Sequence, residues 1–291
     1  MDLHSQIAAH FQRHNAAPRP DFCGLSPDQM HGLLYDPLGA GCVVRLRPEV
    51  PDAVLDQVPF LRLTEEFLRL VQREGSVKLT PLGALPLKCL RELYGHGFIL
   101  EHDIETGLMK LSREIDSLAI TTLHSISTLA GLLRKVHGKL TLTKKGALLL
   151  LPAQRMALWQ LVLNTFTSRF NWAFHDNYPS PMAGQSGWAY SVYLLAVFGQ
   201  QAQPISFYAE KYQRAFPYVL ADFAGATYST PPEQLLNCYT VRTFDRALNW
   251  FGLIDVQHGR YYLDVHCSWV AASSLLPQLF EVWQTPEPPV L

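Results

Sequence analysis

Two stretches of this chain carry the same pattern. Leu79-Thr80-Pro81-Leu82-Gly83-Ala84-Leu85 and Leu142-Thr143-Lys144-Lys145-Gly146-Ala147-Leu148 both read L-T-x-x-G-A-L. A short strand-like step followed by glycine and an apolar pair asks for a strand, a bend and a new helix. Before the first copy, Phe67, Leu68, Leu70 and Val71 keep helical spacing from Thr64 to a stop at Gly75. Before the second, residues 132–138 close a helix in a basic turn. The pattern therefore predicts an internal repeat whose copies superpose as helix-strand-helix units.

Around this pair the chain has clear punctuation. Ser26-Pro27-Asp28-Gln29 supplies an N-cap serine, a proline at the first helical position and a glutamine that closes a capping box. It predicts a helix over 27–35 that serves as a docking element, followed by a short strand over 42–47 that Pro48 and Pro51 end. Trp159 to Tyr228 is dense in rings, including Phe166, Phe170, Trp172, Phe174, Trp188, Tyr190, Tyr193, Phe198 and Tyr212, which read as core. Residues 188–198 and 204–216 read as buried helices joined to the preceding segment by a loop over 177–185. Thr230-Pro231-Pro232-Glu233 is a second capping box, and a hairpin of 253–256 with 260–265 around Gln257-His258-Gly259 follows its helix. The expected fold is α+β and predominantly α, with winged-helix-like units, small β-hairpins and an aromatic-rich helical segment. Its divisions are an N-terminal docking segment (1–60), tandem winged-helix-like units (61–150), an aromatic helical region (151–229), a helix-hairpin unit (230–283) and an extended tail (284–291).

A helix, a short strand and then L-T-x-x-G leading into another helix resembles the end of the winged-helix domains of bacterial regulators. Leu79 to Gly83 and Leu142 to Gly146 carry that resemblance, which implies a nucleic-acid-binding or protein-binding scaffold. Asp21-Phe22-Cys23-Gly24-Leu25-Ser26-Pro27-Asp28-Gln29-Met30-His31 also resembles the opening of a family of uncharacterised bacterial proteins, which implies a bacterial origin and no particular activity. Pro81 and Pro86 stand where the first unit would carry a basic wing, so some units are expected to serve protein contacts.

Charge separates one stretch from the rest. Between Ser117 and His175 there is no aspartate or glutamate, while Arg134, Lys135, Lys139, Lys144, Lys145, Arg155 and Arg169 are all basic. The whole chain has 24 basic and 25 acidic residues, so seven in this stretch leave 17 basic against 25 acidic elsewhere. Arg134, Lys135, Lys139, Lys144 and Lys145 fall on a helix end and the expected wing, where a duplex phosphate backbone would lie. Thr141 and Thr143 add hydroxyls that suit phosphate contacts. The alternative is a solvated basic face that pairs with Glu101, Asp103, Glu105, Glu114 and Asp116 of the same chain, or with a partner.

Other chemistry is thinly supported. The five cysteines are odd in number and form no C-x-x-C pair, which reads as reduced thiols. His96, Glu101, His102 and Asp103 are the tightest group of possible metal ligands, but their spacing matches no zinc pattern, so neither metal nor other cofactor is expected. Gly184-Gln185-Ser186-Gly187-Trp188 approaches G-x-S-x-G with the second glycine one place early, and His175-Asp176 are neighbours that do not face each other on a helix. No phosphate-binding G-x-x-x-x-G-K-[ST] loop occurs. The first fifteen residues lack a secretory apolar run, and no stretch reaches the roughly 20 apolar residues of a membrane span, so a cytoplasmic location off the membrane is expected. These features favour a protein that binds nucleic acid, most simply duplex DNA, in a regulatory or mobile-element setting. A protein-binding or self-associating adaptor is the second expectation, and an enzyme with its site in the aromatic segment the third.

Overall fold

The computed structural model describes residues 3–225, 229–257 and 268–283. The fold is α+β and predominantly α, with small antiparallel sheets. The chain divides into two compact units: Met1–Pro48 with Trp172–Leu291, and Glu49–Asn171 between them in sequence.

The first unit opens with α1 (Leu3–Ala16) and α2 (Pro27–Tyr35). Both hydrogen bonds of the capping box are made at α2: Gln29 N–H donates to Ser26 Oγ (3.3 Å) and Ser26 N–H to Gln29 Oε1 (2.8 Å). The helix buries Met30 and Leu33. Strand β1 (Val44–Leu46) lies inside the stretch whose alternation predicts it.

Within Glu49–Asn171 come α3 (Asp52–Leu55), α4 (Pro59–Glu74), β2 (Val77–Lys78), α5 (Leu87–Gly95), α6 (His102–Glu105), α7 (Leu118–Leu129), β3 (Leu133–Val136), β4 (Lys139–Leu142), α8 (Lys144–Leu149) and α9 (Arg155–Asn164). Helix α4 starts five residues before Thr64 because Pro59 stands at its first position, where its missing N–H costs nothing. It buries Phe60, Leu63, Phe67, Leu68, Leu70 and Val71 and packs on α5 and α7, in which Leu90 and Leu123 are also buried. The three strands form one sheet in the order β2-β4-β3.

That order revises the expected repeat. The strands just before the two L-T-x-x-G-A-L segments are hydrogen-bonded neighbours, with Val77 opposite Leu140, so the segments belong to one unit. They also differ locally. Leu79 leads into a tight turn in which Gly83 N–H donates to Thr80 O (2.8 Å) and Gly83 has φ +82. Thr143 instead N-caps α8 by accepting from Gly146 N–H (2.9 Å), so Gly146 is helical. Pro81 and Pro86 keep the first segment out of a helix until Leu87, whereas Lys144 and Lys145 are good helix formers.

After Trp172 come α10 (Trp188–Phe198), β5 (Gln203–Pro204), α11 (Ile205–Ala215), α12 (Pro231–Tyr239), β6 (Ile254–Gln257), β7 (Trp269–Ala272), α13 (Leu276–Leu279) and β8 (Phe280–Val282). Helix α12 starts at the Thr230/Glu233 capping box and passes into a wider π-helical stretch, Thr240–Leu248. Trp188, Tyr190, Tyr193, Tyr208, Tyr212 and Tyr239 are buried, and Ser191 and Tyr239 hydroxyls meet at 2.8 Å. Strand β8 pairs with β1, and the other sheet has the order β5-β7-β6. Among the described residues β6 pairs with β7, with Gln257 opposite Trp269; the strand expected at 260–265 lies outside the described residues. Residues 258–267, with the His258-Gly259 part of that expected turn, and the tail 284–291 lie outside the described residues.

Apart from the short α6 and the intervening 3-10 and π stretches, the described residues of both units contain a run in the order helix, strand, helix, helix, strand, strand. In one it is α4, β2, α5, α7, β3 and β4 with the sheet β2-β4-β3; in the other it is α10, β5, α11, α12, β6 and β7 with the sheet β5-β7-β6. In both, the first strand pairs with the last, which forms the centre of the sheet.

Candidate nucleic-acid interface

Six basic residues of the 49–171 unit, Lys78, Arg134, Lys135, Lys139, Lys144 and Lys145, lie on its sheet or next to it. Strands β3 and β4 are joined by His137-Gly138, a two-residue turn whose φ values of +48 and +73 are those a tight hairpin requires. Alternation then fixes the faces. Val77, Leu133 and Leu140 are buried, so Lys78, Arg134, Lys139 and Thr141 fall on the opposite face. Lys78, Arg134, Lys135, Lys139, Lys144 and Lys145 are all exposed, and Thr141 and Thr143 are half-buried.

The structure divides the seven residues singled out from the sequence into different roles. Arg134 and Lys139 share the outer sheet face with Thr141, whose hydroxyl donates to Arg134 O (3.3 Å). Lys135, at the end of the inner row, extends its ammonium toward Gly83. Lys144 is exposed in the first turn of α8. Thr143 is a cap residue whose hydroxyl donates toward Gly131 O (2.7 Å) while accepting from Gly146 N–H. Lys145 Nζ donates to Ala130 O (2.9 Å), at the carboxyl end of α7. Of the two further basic residues in this stretch, Arg169 is exposed, and Arg155 is tied to Glu65 (2.7 Å), Asp56 (2.9 Å) and Asp52 (3.2 Å).

The acidic residues that sequence offers as internal partners are largely engaged elsewhere. Glu101 Oε1 accepts from Leu118 N–H (2.8 Å) at the start of α7, and Ser117 Oγ donates to Glu101 Oε2. Glu114, itself buried, accepts from Leu85 N–H and lies 2.8 Å from His124 Nδ1. Asp116 accepts from Ser112 and Arg113 N–H groups, and Tyr94 donates to Glu105. Among the described residues, Lys78, Arg134, Lys135, Lys139, Lys144 and Lys145 form no ion pair.

Helix α7 adds a polar stripe. Thr121, His124, Ser125 and Thr128 recur at helical spacing on its less buried side. The hydroxyls of Ser125 and Thr128 donate to carbonyls four residues earlier and keep lone pairs as acceptors, while Thr121 Oγ1 is shared between Ser117 O (2.8 Å) and Glu114 O (2.7 Å).

The remaining motifs have structural roles. Gly187, at the N-terminus of α10, has φ +76, and a Cβ there would lie 2.6 Å from the Phe216 ring. Asp176 is held by Arg242, with Nε to Oδ2 at 2.6 Å and Nη2 to Oδ1 at 3.0 Å, so its carboxylate is occupied. His96 stacks on Phe98 and lies 4.0 Å from Glu66. Among the described residues, no three His, Cys, Asp or Glu side chains are grouped to hold a metal ion, and no helix is long and apolar enough to cross a membrane.

Lys78 is the residue that sequence reasoning missed. It lies outside the acid-free stretch and reaches the basic face only through the β2–β4 pairing, which the shared L-T-x-x-G pattern disguises as a repeat.

Residues 56–156 match the family model described as the Y4jL N-terminal domain. That span lies within the 49–171 unit, from just before α4 into the first turn of α9, and takes in the whole sheet. The description names no activity, and the match does not reach the opening block at residues 21–31. No curated protein and no solved structure matches the chain.

Proposed function

We propose that this chain is a nucleic-acid-binding protein of the bacterial cytoplasm that holds duplex DNA on its 49–171 unit, in a regulatory or mobile-element setting. One observation carries the reading: a set of exposed basic side chains without acidic partners surrounds one small sheet, in a unit whose nearby carboxylates cap helices or pair elsewhere. Unneutralised cationic surface of this kind supports phosphate contact. The element order supports reading the unit as a single winged helix, with α4, α5 and α7 as its three helices, β2 as its first strand and the β3–β4 hairpin as its wing. On that reading the hydroxyl stripe of α7 faces the base edges. The same order from α10 to β7 supports a second winged-helix module in the other unit.

A protein-binding adaptor is the second reading. It is favoured by Leu100, Leu108, Met109 and Ile115, four exposed apolar side chains in the α5–α7 connection.

Binding to a mixed-sequence duplex across a salt series tests the proposal. Four or five phosphate contacts give a log-log slope of about −4, because each neutralised phosphate releases about 0.9 of a counterion. Lack of duplex binding at about 50 mM salt removes the DNA reading and leaves the adaptor.

A further inference from the structure

The register of β2 against β4 sets Lys78 directly opposite Lys139. Leu79 N–H donates to Gly138 O (2.9 Å), one step outside that pair on both strands, so Lys78 and Lys139 form a non-hydrogen-bonded pair. That is the closer of the two antiparallel arrangements, with Cα atoms about 4.5 Å apart. Like charges directly opposite each other on one face destabilise a sheet. Both side chains are exposed, so water and salt screen the repulsion, but neither has an acidic partner among the described residues to neutralise it. The register cannot slip to avoid it, because a shift by one residue would turn buried Val77 and Leu140 outward.

We infer that Lys78 and Lys139 act together as a cross-strand clamp for a backbone phosphate of duplex DNA. The inference rests on the DNA reading and adds a residue and a geometry to it. A phosphodiester between the two ammonium groups supplies the counter-charge that the protein lacks, and it turns an unfavourable pair into an anion site. Arg134 lies on the same face, on the strand beyond β4, so the clamp has a third cation along the path a backbone would take.

The test compares wild type, Lys78→Gln, Lys139→Gln and the double variant of the full chain in two measurements. In binding to a mixed-sequence duplex, Lys78→Gln lowers the salt slope by about 0.9. The Lys78→Gln and Lys139→Gln losses in affinity are also not independent: the double variant binds more tightly than the product of the single losses requires. In urea unfolding without DNA, the wild-type midpoint rises between about 20 and 200 mM salt by more than that of Lys78→Gln, since only the wild type has a like-charge pair to screen. Lys78→Arg keeps the charge and the slope, which separates charge from packing at this position. If the duplex binds but Lys78→Gln leaves slope and affinity unchanged, the clamp is wrong and the DNA reading stands. If the wild type does not bind duplex at low salt, both fall.

Discussion

Arg242 and Asp176 form a two-pronged ion pair inside their unit, with side chains 0% and 1% exposed. Arg242 also donates through Nη1 to Ser180 O (2.9 Å) and Ala183 O (3.0 Å). One arginine on the π-helical stretch after α12 therefore holds the loop before α10 through three of that loop's residues. Removing Arg242 strips Asp176 of its two short bonds and leaves it only Arg246 Nη1 at 3.5 Å, so Arg242→Met is expected to cost about 3 kcal/mol. Asp176→Asn is expected to be strongly destabilising as well, and the double variant to cost less than the sum of the two. Urea unfolding checks this; a loss below about 1 kcal/mol for Arg242→Met would refute the lock.

The two glycines of the shared pattern are required for different reasons, and substitution separates them. A Cβ on Gly146 would lie 2.3 Å from Leu132 O, a backbone atom that cannot step aside, so Gly146→Ala is expected to cost about 1–3 kcal/mol. At Gly83 the nearest atom is the flexible end of Lys135, and the cost comes from φ +82. Asparagine tolerates left-handed backbone better than alanine does. Gly83→Asn should therefore unfold at a higher temperature than Gly83→Ala, while Gly146→Asn shows no such recovery.

Lys144 and Lys145 are adjacent and both exposed, yet only Lys145 has a structural bond, to Ala130 O at the end of α7. Lys145→Ala is expected to cost about 0.5–1 kcal/mol, from a charge-assisted bond at a helix carboxyl end. Lys144→Ala should leave stability within about 0.5 kcal/mol of wild type. Equal unfolding midpoints for the two variants would show that the Lys145 bond contributes nothing.

Arg155 makes the acid sensitivity of the 49–171 unit predictable. Burial pulls the Asp56 carboxyl upward, but the hydrogen bond and charge of Arg155, joined by Arg62, hold it below its ordinary value. A carboxylate lowered in the folded state contributes stability that is fully present above its unfolded value of about 3.9 and is lost as pH falls through the folded value. Arg155→Met should therefore flatten the decline in urea midpoint between about pH 5 and pH 2. At neutral pH it should cost about 3 kcal/mol, because Glu65, 2% exposed, loses its 2.7 Å partner and keeps only Arg62 and Arg69 at 3.6 and 3.7 Å. An unchanged acid profile in the variant would refute the assignment.

What was legible from sequence was local. Ser26/Gln29 and Thr230/Glu233 announce their helices because a capping box is complete within four residues. The rings of α10 and α11 read as core because buried aromatic area needs no partner to be named. Pairing was not legible. Leu79 and Leu142 look like copies, but a threonine before two residues and a glycine serves a turn as well as a helix cap, and the choice rests on Pro81 against Lys144. The basic stretch could be found by counting charges, whereas Lys78 joins it only through a strand pair and Arg155 leaves it through three carboxylates.

The pairing of β1 with β8 has a consequence for how the chain is made. Arg47 and Glu281, beside and within those strands, are 234 positions apart, and the whole 49–171 unit is synthesised between them. On a ribosome the inserted unit has all its residues available long before the other unit does, so it can complete its core while β1 waits for a partner at the far end of the chain. Contacts of such long range close slowly. Until they close, the edge of β1 is an unpaired template that other chains can join, so the vulnerable period for misassembly falls at the end of synthesis.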